Sequence, residues 1–584
     1  MADLRPTSPA RNADRESTVA GTRPPTPKEK NSDLNEKTSA RVMTRTSTLT
    51  DSQTVDGNNT VATATEADSR LLAGRRLALV HIGFLTSILL VALDQTIVAT
   101  ALPKLASEFQ ALDQLTWVVS AYFLTQAGLM LTFGQILTIA PNKWVYLVCI
   151  VLFELGSLIC GVAPSMNVLI FGRAFQGVGA SGIFISILTI LSQVTRLEQR
   201  PLLFGSFGGV FALASVVGPL LGGVFADRVT WRWCFYINLP FGAISVLAVL
   251  VFLPSNPPPP NKLYDGKTIM QKWLLMDWVG SVLSVGMITS LLIALQSGGV
   301  TREWNDRVII ALFVTFAVLF GLFIGWEYYK KEHAMMPLFL FKRRTQVGAG
   351  LATFMMMIAF LAASYYLPFY YQSSRGRSAQ DSGIDIIPYM LAAVLASFAS
   401  GAIVNGTGHY LTYMLVGPAV GAIGAGLLFT IDENTPSARL IGYQIIFGVG
   451  LGVAFQLPVM AIQAEYAKKP ELIPQASSLL TFFQLLGGVI GIAIAGTIFN
   501  NQLVKELGAY ADQIPPDILK AVKQSVTVIF QLPQELQAPV VHAYVKALDY
   551  VFIFCVPVAV LASVFSVLVK NWNMKERGAN MNAV

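Results

Sequence analysis

Fourteen stretches of about 20 mainly apolar residues recur along this 584-residue chain, and a stretch of that length crosses about 30 Å of hydrocarbon. Lipid offers no water to the backbone, so every N–H and C=O in such a stretch needs an internal partner, which a helix supplies. The spans fall at roughly 79–101, 116–138, 144–163, 168–191, 202–226 and 234–253, then 276–296 and 308–326. The last six fall at roughly 347–371, 384–405, 411–430, 440–463, 474–499 and 549–569. Only 13% of residues are charged and 54% are hydrophobic. A soluble domain carries about 25% charged residues, so the composition agrees with an all-α polytopic membrane protein.

Residues 1–74 depart from that pattern. The first 70 hold ten basic and ten acidic residues among many Ser, Thr and Pro, too few apolar groups to fold, and read as a disordered cytosolic tail. The net charge of +7 therefore lies in the membrane part, as basic inner loops facing anionic lipid, and nucleic acid is not a partner. The first apolar run starts near Leu77 without a cleavage pattern after it, so the first span acts as the insertion signal. Cys149, Cys160, Cys234 and Cys555 lie in or beside apolar runs; with no CxxC and no His cluster, neither a disulfide framework nor a metal site is expected.

With the tail inside, the inner segments hold eighteen Lys and Arg and the short outer loops eight, which places both termini in the cytosol. An even number of spans with a polar break near the middle suits two six-helix bundles and a two-helix insert, the seventh and eighth spans. The expected organisation is a bundle at 75–253, linker and insert at 254–345, a second bundle at 346–570 with a long outer loop at 501–548, and a cytosolic tail at 571–584.

The fifth span, GSFGGVFALASVVGPLLGG from Gly205 to Gly223, spaces small residues four apart, which lets two helices approach closely in lipid. Pro219 lacks an N–H, so a kink is expected there. Within this span Gly218, Pro219, Gly222 and Gly223 form GPxxGG, which resembles the antiporter motif of drug:proton antiporters in the major facilitator superfamily. WRWCFYINLPFG, opening at Trp231, resembles the following loop of the same transporters. LDQTIVATALP, with Asp94, Thr96 and Pro103, resembles their first-helix motif, and GRAFQGVGASG, with Arg173, Gln176, Gly177 and Gly179, their fourth-helix motif. The resemblance covers about residues 75–570 and extends to fungal toxin and multidrug efflux pumps of the fourteen-span branch. It implies two six-helix bundles about a central cavity, with two added helices between them. One departure is Thr138, which stands where most members carry an acid between the second and third helices.

An ionisable side chain at mid-span costs about 2.5–3.5 kcal/mol or more, so each needs a partner, water or a role. Asp94 and Arg173 both fall in the outer half of the membrane at about 1.5 Å per residue. A carboxylate beside a guanidinium keeps its charge, and losing that partner lets it take a proton. The resemblance ties the fourth-helix arginine, here Arg173, to proton transfer. Glu154 stands mid-span without a neighbour in sequence, either as a neutral proton carrier or bonded to a polar partner. Gln126, Gln456 and Gln484 are candidates to line a substrate cavity with Phe354, Tyr365 and Tyr366, although glutamines of this kind also bond across helices.

No GxxxxGK[ST] phosphate loop is present, and no catalytic constellation or cofactor is expected. The chain reads as a monomeric proton-driven exporter of a small hydrophobic compound, rocking two bundles about a central site in the plasma membrane. A vacuolar or uptake carrier for basic amino acids or iron chelates, and a transporter-like receptor or scaffold, remain as alternatives.

Overall fold

Short polar devices set where the long helices begin and end. The computed structural model describes residues 71–109, 115–258, 261–299, 302–510 and 526–576, with Ile514, Pro515, Ile518, Leu519 and Val522 between the last two ranges. Of the expected tail, residues 1–74, positions 1–70 lie outside the described residues, while Leu72 is buried and its N–H donates to the Val194 carbonyl at 2.8 Å; 577–584 and the side chains of Pro103 and Pro219 also lie outside. In chain order the long helices are α1 (Gly74–Phe109), α2 (Leu115–Ile139), α3 (Asn142–Gly161), α4 (Met166–Val194), α5 (Arg200–Arg228) and α6 (Asn238–Phe252). Next come α7 (Trp278–Ser297) and α8 (Arg307–Lys330). The last six are α9 (Arg344–Arg375), α10 (Ile387–Thr407), α11 (Leu411–Leu428), α12 (Ser437–Ala454), α13 (Ile473–Gly508) and α14 (Gln534–Ser566). No strand occurs among the described residues.

Asp277 caps α7 by accepting from Gly280 N at 2.8 Å, and Asp306 caps α8 by accepting from Val308 N at 2.7 Å, so each satisfies a donor the helix leaves free. α9 and α10 end on Gly376 (φ 60°) and Gly408 (φ 78°), a left-handed backbone that glycine adopts without strain. Thirteen helical segments among the described residues are long and apolar enough to cross a membrane, and the 29-residue α5 stands between the fourth and fifth of them. The stretch expected as one span at 440–463 is two helices, because α12 stops at Ala454 and a second helix, Leu457–Glu465, follows with Pro458 in its first turn. The expected loop at 501–548 is largely helical where described: α13 continues to Gly508, and α14 starts at Gln534 by burying Val540, Tyr544, Val545 and Leu548.

Glycines bring the helices together. Lipid tails are as apolar as leucine, so association depends on close van der Waals fit. Gly156 of α3 sits on the backbone of Gln176 of α4, and Gly450 of α12 on the backbone of Gly421 of α11. Helices α1–α6 precede the α7–α8 pair and α9–α14 follow it; the two groups are called the first and second halves below. The α7–α8 pair packs on α2, where Thr132 donates to Ser281 at 2.9 Å and Gly128 abuts Val285. The short helix Ala379–Asp385 touches α5, and toward the Arg200 end of α5 the two groups meet closely: Gly134 of α2 lies against Ser478 of α13, and Gly205 and Gly208 of α5 against Ser397 and Phe398 of α10. At the same end Arg200 donates to Gln463 at 2.8 Å, and Gln463 donates to the Leu188 carbonyl at 3.2 Å.

A methyl at Gly450 would lie 2.5 Å from Gly421 Cα, and neither backbone has room to retreat, whereas nothing lies within 4 Å of a methyl at Gly442 on the same helix. Gly450→Ala should therefore cost about 3 kcal/mol by overpacking. On detergent-solubilised protein, its size-exclusion peak and melting temperature should both fall while Gly442→Ala holds the wild-type values.

Candidate functional site: a buried charge network in the first half

Four helices of the first half converge on Asp94. Arg173 Nη1 donates to Asp94 Oδ2 at 2.6 Å and to Gln176 Oε1 at 2.7 Å, while Arg173 Nε donates to the Val118 carbonyl at 2.9 Å. Its guanidinium lies over the Tyr122 ring, 4.5 Å from the centroid. Gln176 Nε2 donates to Asp94 Oδ1 at 2.8 Å, and Asn238 Nδ2 donates to the same oxygen at 3.2 Å. Both amides also donate to Ser157 Oγ, at 3.0 Å and 2.7 Å. Asp94 is 0% exposed and Arg173 1%, so the pair is sealed in this conformation. A desolvated ion pair persists only where further hydrogen bonds satisfy both partners, which the amides and the Val118 carbonyl do here.

The sequence motifs fall around this network with separate duties. In the fourth-helix motif Arg173 and Gln176 supply donors, while Gly177 admits the Tyr122 carbonyl of α2 and Gly179 the backbone of Cys149 and Phe153 in α3. Thr125 adds a bond to the Ala174 carbonyl at 2.8 Å. In α5, Gly218 seats against Thr96 of α1, whose hydroxyl reaches the Ala214 carbonyl at 3.0 Å. Gly222 is buried, whereas a methyl on Gly223 would meet nothing within 4 Å. The small-residue stripe of α5 thus serves two seams, one against the other half near Gly205 and one against α1 near Gly218. The expected kink at Pro219 rests on a side chain outside the described residues.

Glu154 is the isolated member of the candidate set. Its carboxyl lies against Gly242 of α6, and both oxygens are buried without a hydrogen-bond donor. Sequence reasoning missed Ser157, Asn238 and Tyr122 as members of the network. Ser157 and Asn238 were both visible as polar residues within apolar motifs, Ser157 beside Glu154 in FELGS and Asn238 alone in INLPFG, and that was the available signal.

The WRW segment closes the same end of the half. Trp231 Nε1 donates to Glu108 Oε2 at 2.6 Å, and Arg232 Nη1 to Glu108 Oε1 at 2.9 Å, with Arg232 stacked on Trp231 at 4.3 Å. Burial pushes the Glu108 carboxyl upward, but these two donors outweigh it and hold it below the usual carboxylate range. A depressed carboxylate steadies this clamp above its ordinary range and loses hold as pH falls through the lowered value.

The six candidate cavity residues are carried by α2, α9 and α13 and by the break after α12. Gln126 and Gln456 are buried, Tyr366 packs against Phe499 with centroids 5.5 Å apart, and Gln484 reaches Met357 Sδ at 3.8 Å. The Phe354 backbone carries Gly487, and Tyr365 is 51% exposed. An apolar groove of about 720 Å³ between α10 and α12, lined by Leu391, Leu395, Ile403 and Ile445 among others, contains none of the six. Gln444 and Gln463 bond across helices, to Tyr371 and to Leu188. Thr138 donates to the Gln135 carbonyl, and Gln135 in turn donates to the His333 carbonyl beyond α8.

Residues 84–492 match the family model described as Major Facilitator Superfamily. The chain belongs to this superfamily. As a superfamily member it is a multi-pass membrane transporter of small molecules and not an enzyme. It is 40% identical over 496 residues to the MFS-type efflux pump MFS1 of Arthroderma benhamiae, covering 85% of this chain and 91% of that protein. It is 39% identical over 488 residues to the MFS-type transporter astH of Aspergillus oryzae, covering 83% and 85%. Among solved structures, the human organic anion transporter MFSD10 (TETRAN) superposes with a TM-score of 0.55 at 14% identity, covering 85% of this chain and 100% of that one. The proton:xylose symporter XylE gives 0.54 at 13%, covering 86% and 98%; these two likenesses concern the fold.

Removing one partner of a buried pair leaves an uncompensated charge and costs roughly 3–5 kcal/mol, while removing both is far milder. Asp94→Asn and Arg173→Met should each lower the melting temperature of the transporter in nanodiscs, and the double variant should recover much of the loss. Additive losses in that cycle would show that the two side chains do not compensate each other.

Proposed function

We propose that this transporter is a proton-driven exporter of a small hydrophobic organic compound, acting as a monomer in the plasma membrane. The observation that carries the reading is Asp94, a fully buried carboxylate inside a membrane helix, held by one guanidinium and two amides. A buried charge is tolerated in lipid where it has a role, and a carboxylate whose ion partner can be withdrawn is a proton acceptor. The names of the relatives MFS1 of Arthroderma benhamiae and aunC of Aspergillus niger, both called efflux pumps, support export as the direction.

Counting α5 as a span gives fourteen, with both termini in the cytosol on the distribution of Lys and Arg. The first half then occupies 75–253, the insert lies within 254–345 and the second half occupies 346–570. On that orientation the end closed by Gly134, Arg200, Gln463 and Ser478 is the cytosolic one, and Asp94 and Arg173 lie toward the outer side. A proton arriving from outside neutralises Asp94 or Glu154, the hold on Arg173 weakens, and the halves rock about the small-residue seam of α5 and α10. The glutamines and aromatics of α2, α9, α12 and α13 supply the wall of the substrate path. The preference for apolar cargo follows from the shortage of charged groups on those helices.

Asp94→Asn should abolish uncoupler-sensitive efflux across a panel of hydrophobic dyes and toxins in cells, with the protein still present in the plasma membrane. Wild-type efflux in that variant would refute the coupling role.

A further inference from the structure

We infer that Asn238, oriented by Ser157, is the positioning residue through which Glu154 and Asp94 sense one another's protonation. The inference rests on the proton-coupled reading and adds two residues to it.

The argument starts from donors and acceptors. A hydroxyl oxygen has two lone pairs, and Ser157 Oγ uses both, one for Gln176 Nε2 and one for Asn238 Nδ2. Each amide nitrogen carries two protons, and the second of each goes to Asp94 Oδ1. Two NH₂ groups therefore bridge the same two oxygens in a closed ring. Ser157 sets which end of both amides faces Asp94: the donor end faces the carboxylate and the carbonyl end faces away.

For Gln176 the carbonyl end is used, since Oε1 accepts from Arg173. For Asn238 it is not: Oδ1 is buried and without a donor. Asn238 is 0% exposed, so no solvent meets that need. The other donor-starved buried atoms on the seam between α3 and α6 are the two oxygens of Glu154. Glu154 is three residues before Ser157 on α3, and its carboxyl rests on Gly242, four residues after Asn238 on α6, so these groups occupy adjacent turns.

A proton on Glu154 supplies the donor this seam lacks. Glu154 O–H then serves Asn238 Oδ1 and polarises the amide so that its N–H groups grip the Asp94 anion more firmly. When Glu154 is ionised, its charge and the Asn238 carbonyl repel, and the amide's hold on Asp94 loosens. One proton on either acid is thus favoured over none or two. The other titratable or charged groups facing this cluster are Arg173 of α4, Tyr122 of α2, Cys160 of α3 and Cys234 just before α6.

The test uses full-length protein in nanodiscs, with melting temperature followed across the pH range over which the fold persists, so no substrate is needed. Asp94→Asn should erase the inflection assigned to Asp94. Ser157→Ala and Asn238→Leu should each move that inflection to higher pH by about one unit, the size expected for losing a hydrogen bond to a charged group. Ser157→Thr, which keeps the hydroxyl, should restore it. Glu154→Gln should shift the inflection in the wild-type background and leave it unmoved in the Asn238→Leu background. Uniformly lowered melting with an unmoved inflection, equal Glu154→Gln shifts in both backgrounds, or an inflection surviving Asp94→Asn would each overturn the proposal. Proton-driven export is read separately as flux, so that reading and this one can fail independently.

Discussion

The structure of the first half is built around one desolvated ion pair. Asp94 and Arg173 stand on helices 79 positions apart in sequence, and the 2.6 Å contact between them exists only because α1, α2, α3, α4 and α6 all bring a group to the same point. Isolated charges in a low-dielectric interior would cost far more than any single helix contact returns. The network is therefore a condition on the packing: Ser157, Gln176, Asn238 and the Val118 carbonyl must arrive together or the pair is not sustainable. Such a group of mutually dependent contacts has few intermediate arrangements, and that suits an element with two states.

Glycine makes the convergence sterically feasible. Gly156, Gly177 and Gly179 remove side chains where α2, α3 and α4 touch backbone to backbone, which brings the polar groups within hydrogen-bond range. The second half uses the same device at Gly448, Gly450 and Gly452 of α12 without a charge to enclose. Between the halves the contacts are of a different character. Gly205 and Gly401 face each other across α5 and α10, and polar ties there run from Arg200 to Gln463 and from Gln463 to the Leu188 carbonyl.

Much of this was legible in the sequence because membrane helices announce themselves by length and apolarity, and the number and rough placement of the long helices followed from that alone. The Asp94 to Arg173 contact was anticipated from depth in the bilayer, since two lone opposite charges at one level need each other. What stayed hidden depended on azimuth about the helix axes. Nothing in one chain's pattern tells whether Gln126, Tyr365 or Gln484 faces a cavity, a neighbouring helix or lipid; the structure buries Gln126 and leaves Tyr365 half exposed. The break at Gln456 and the helical extension of α14 to Gln534 were missed for another reason. Both lie at helix ends, where a hydropathy window averages the local signal away. Ser157 and Asn238 were overlooked because neither is charged, although a polar side chain with no aqueous exposure makes the same demand for a partner.

The pair α7 and α8 shows how far this fold leans on its solvent. Asp277 accepts from Trp326 at 2.6 Å and Glu327 accepts from Met336 N at 2.8 Å, so the insert is fastened by polar bonds near one end. Along the rest of its length α8 has only 11% of its apolar window buried by protein, with Val314, Val318 and Leu322 facing outward. Its apolar surface is accordingly left for the bilayer to cover, and hydrocarbon thickness bears on this helix more directly than on its buried neighbours.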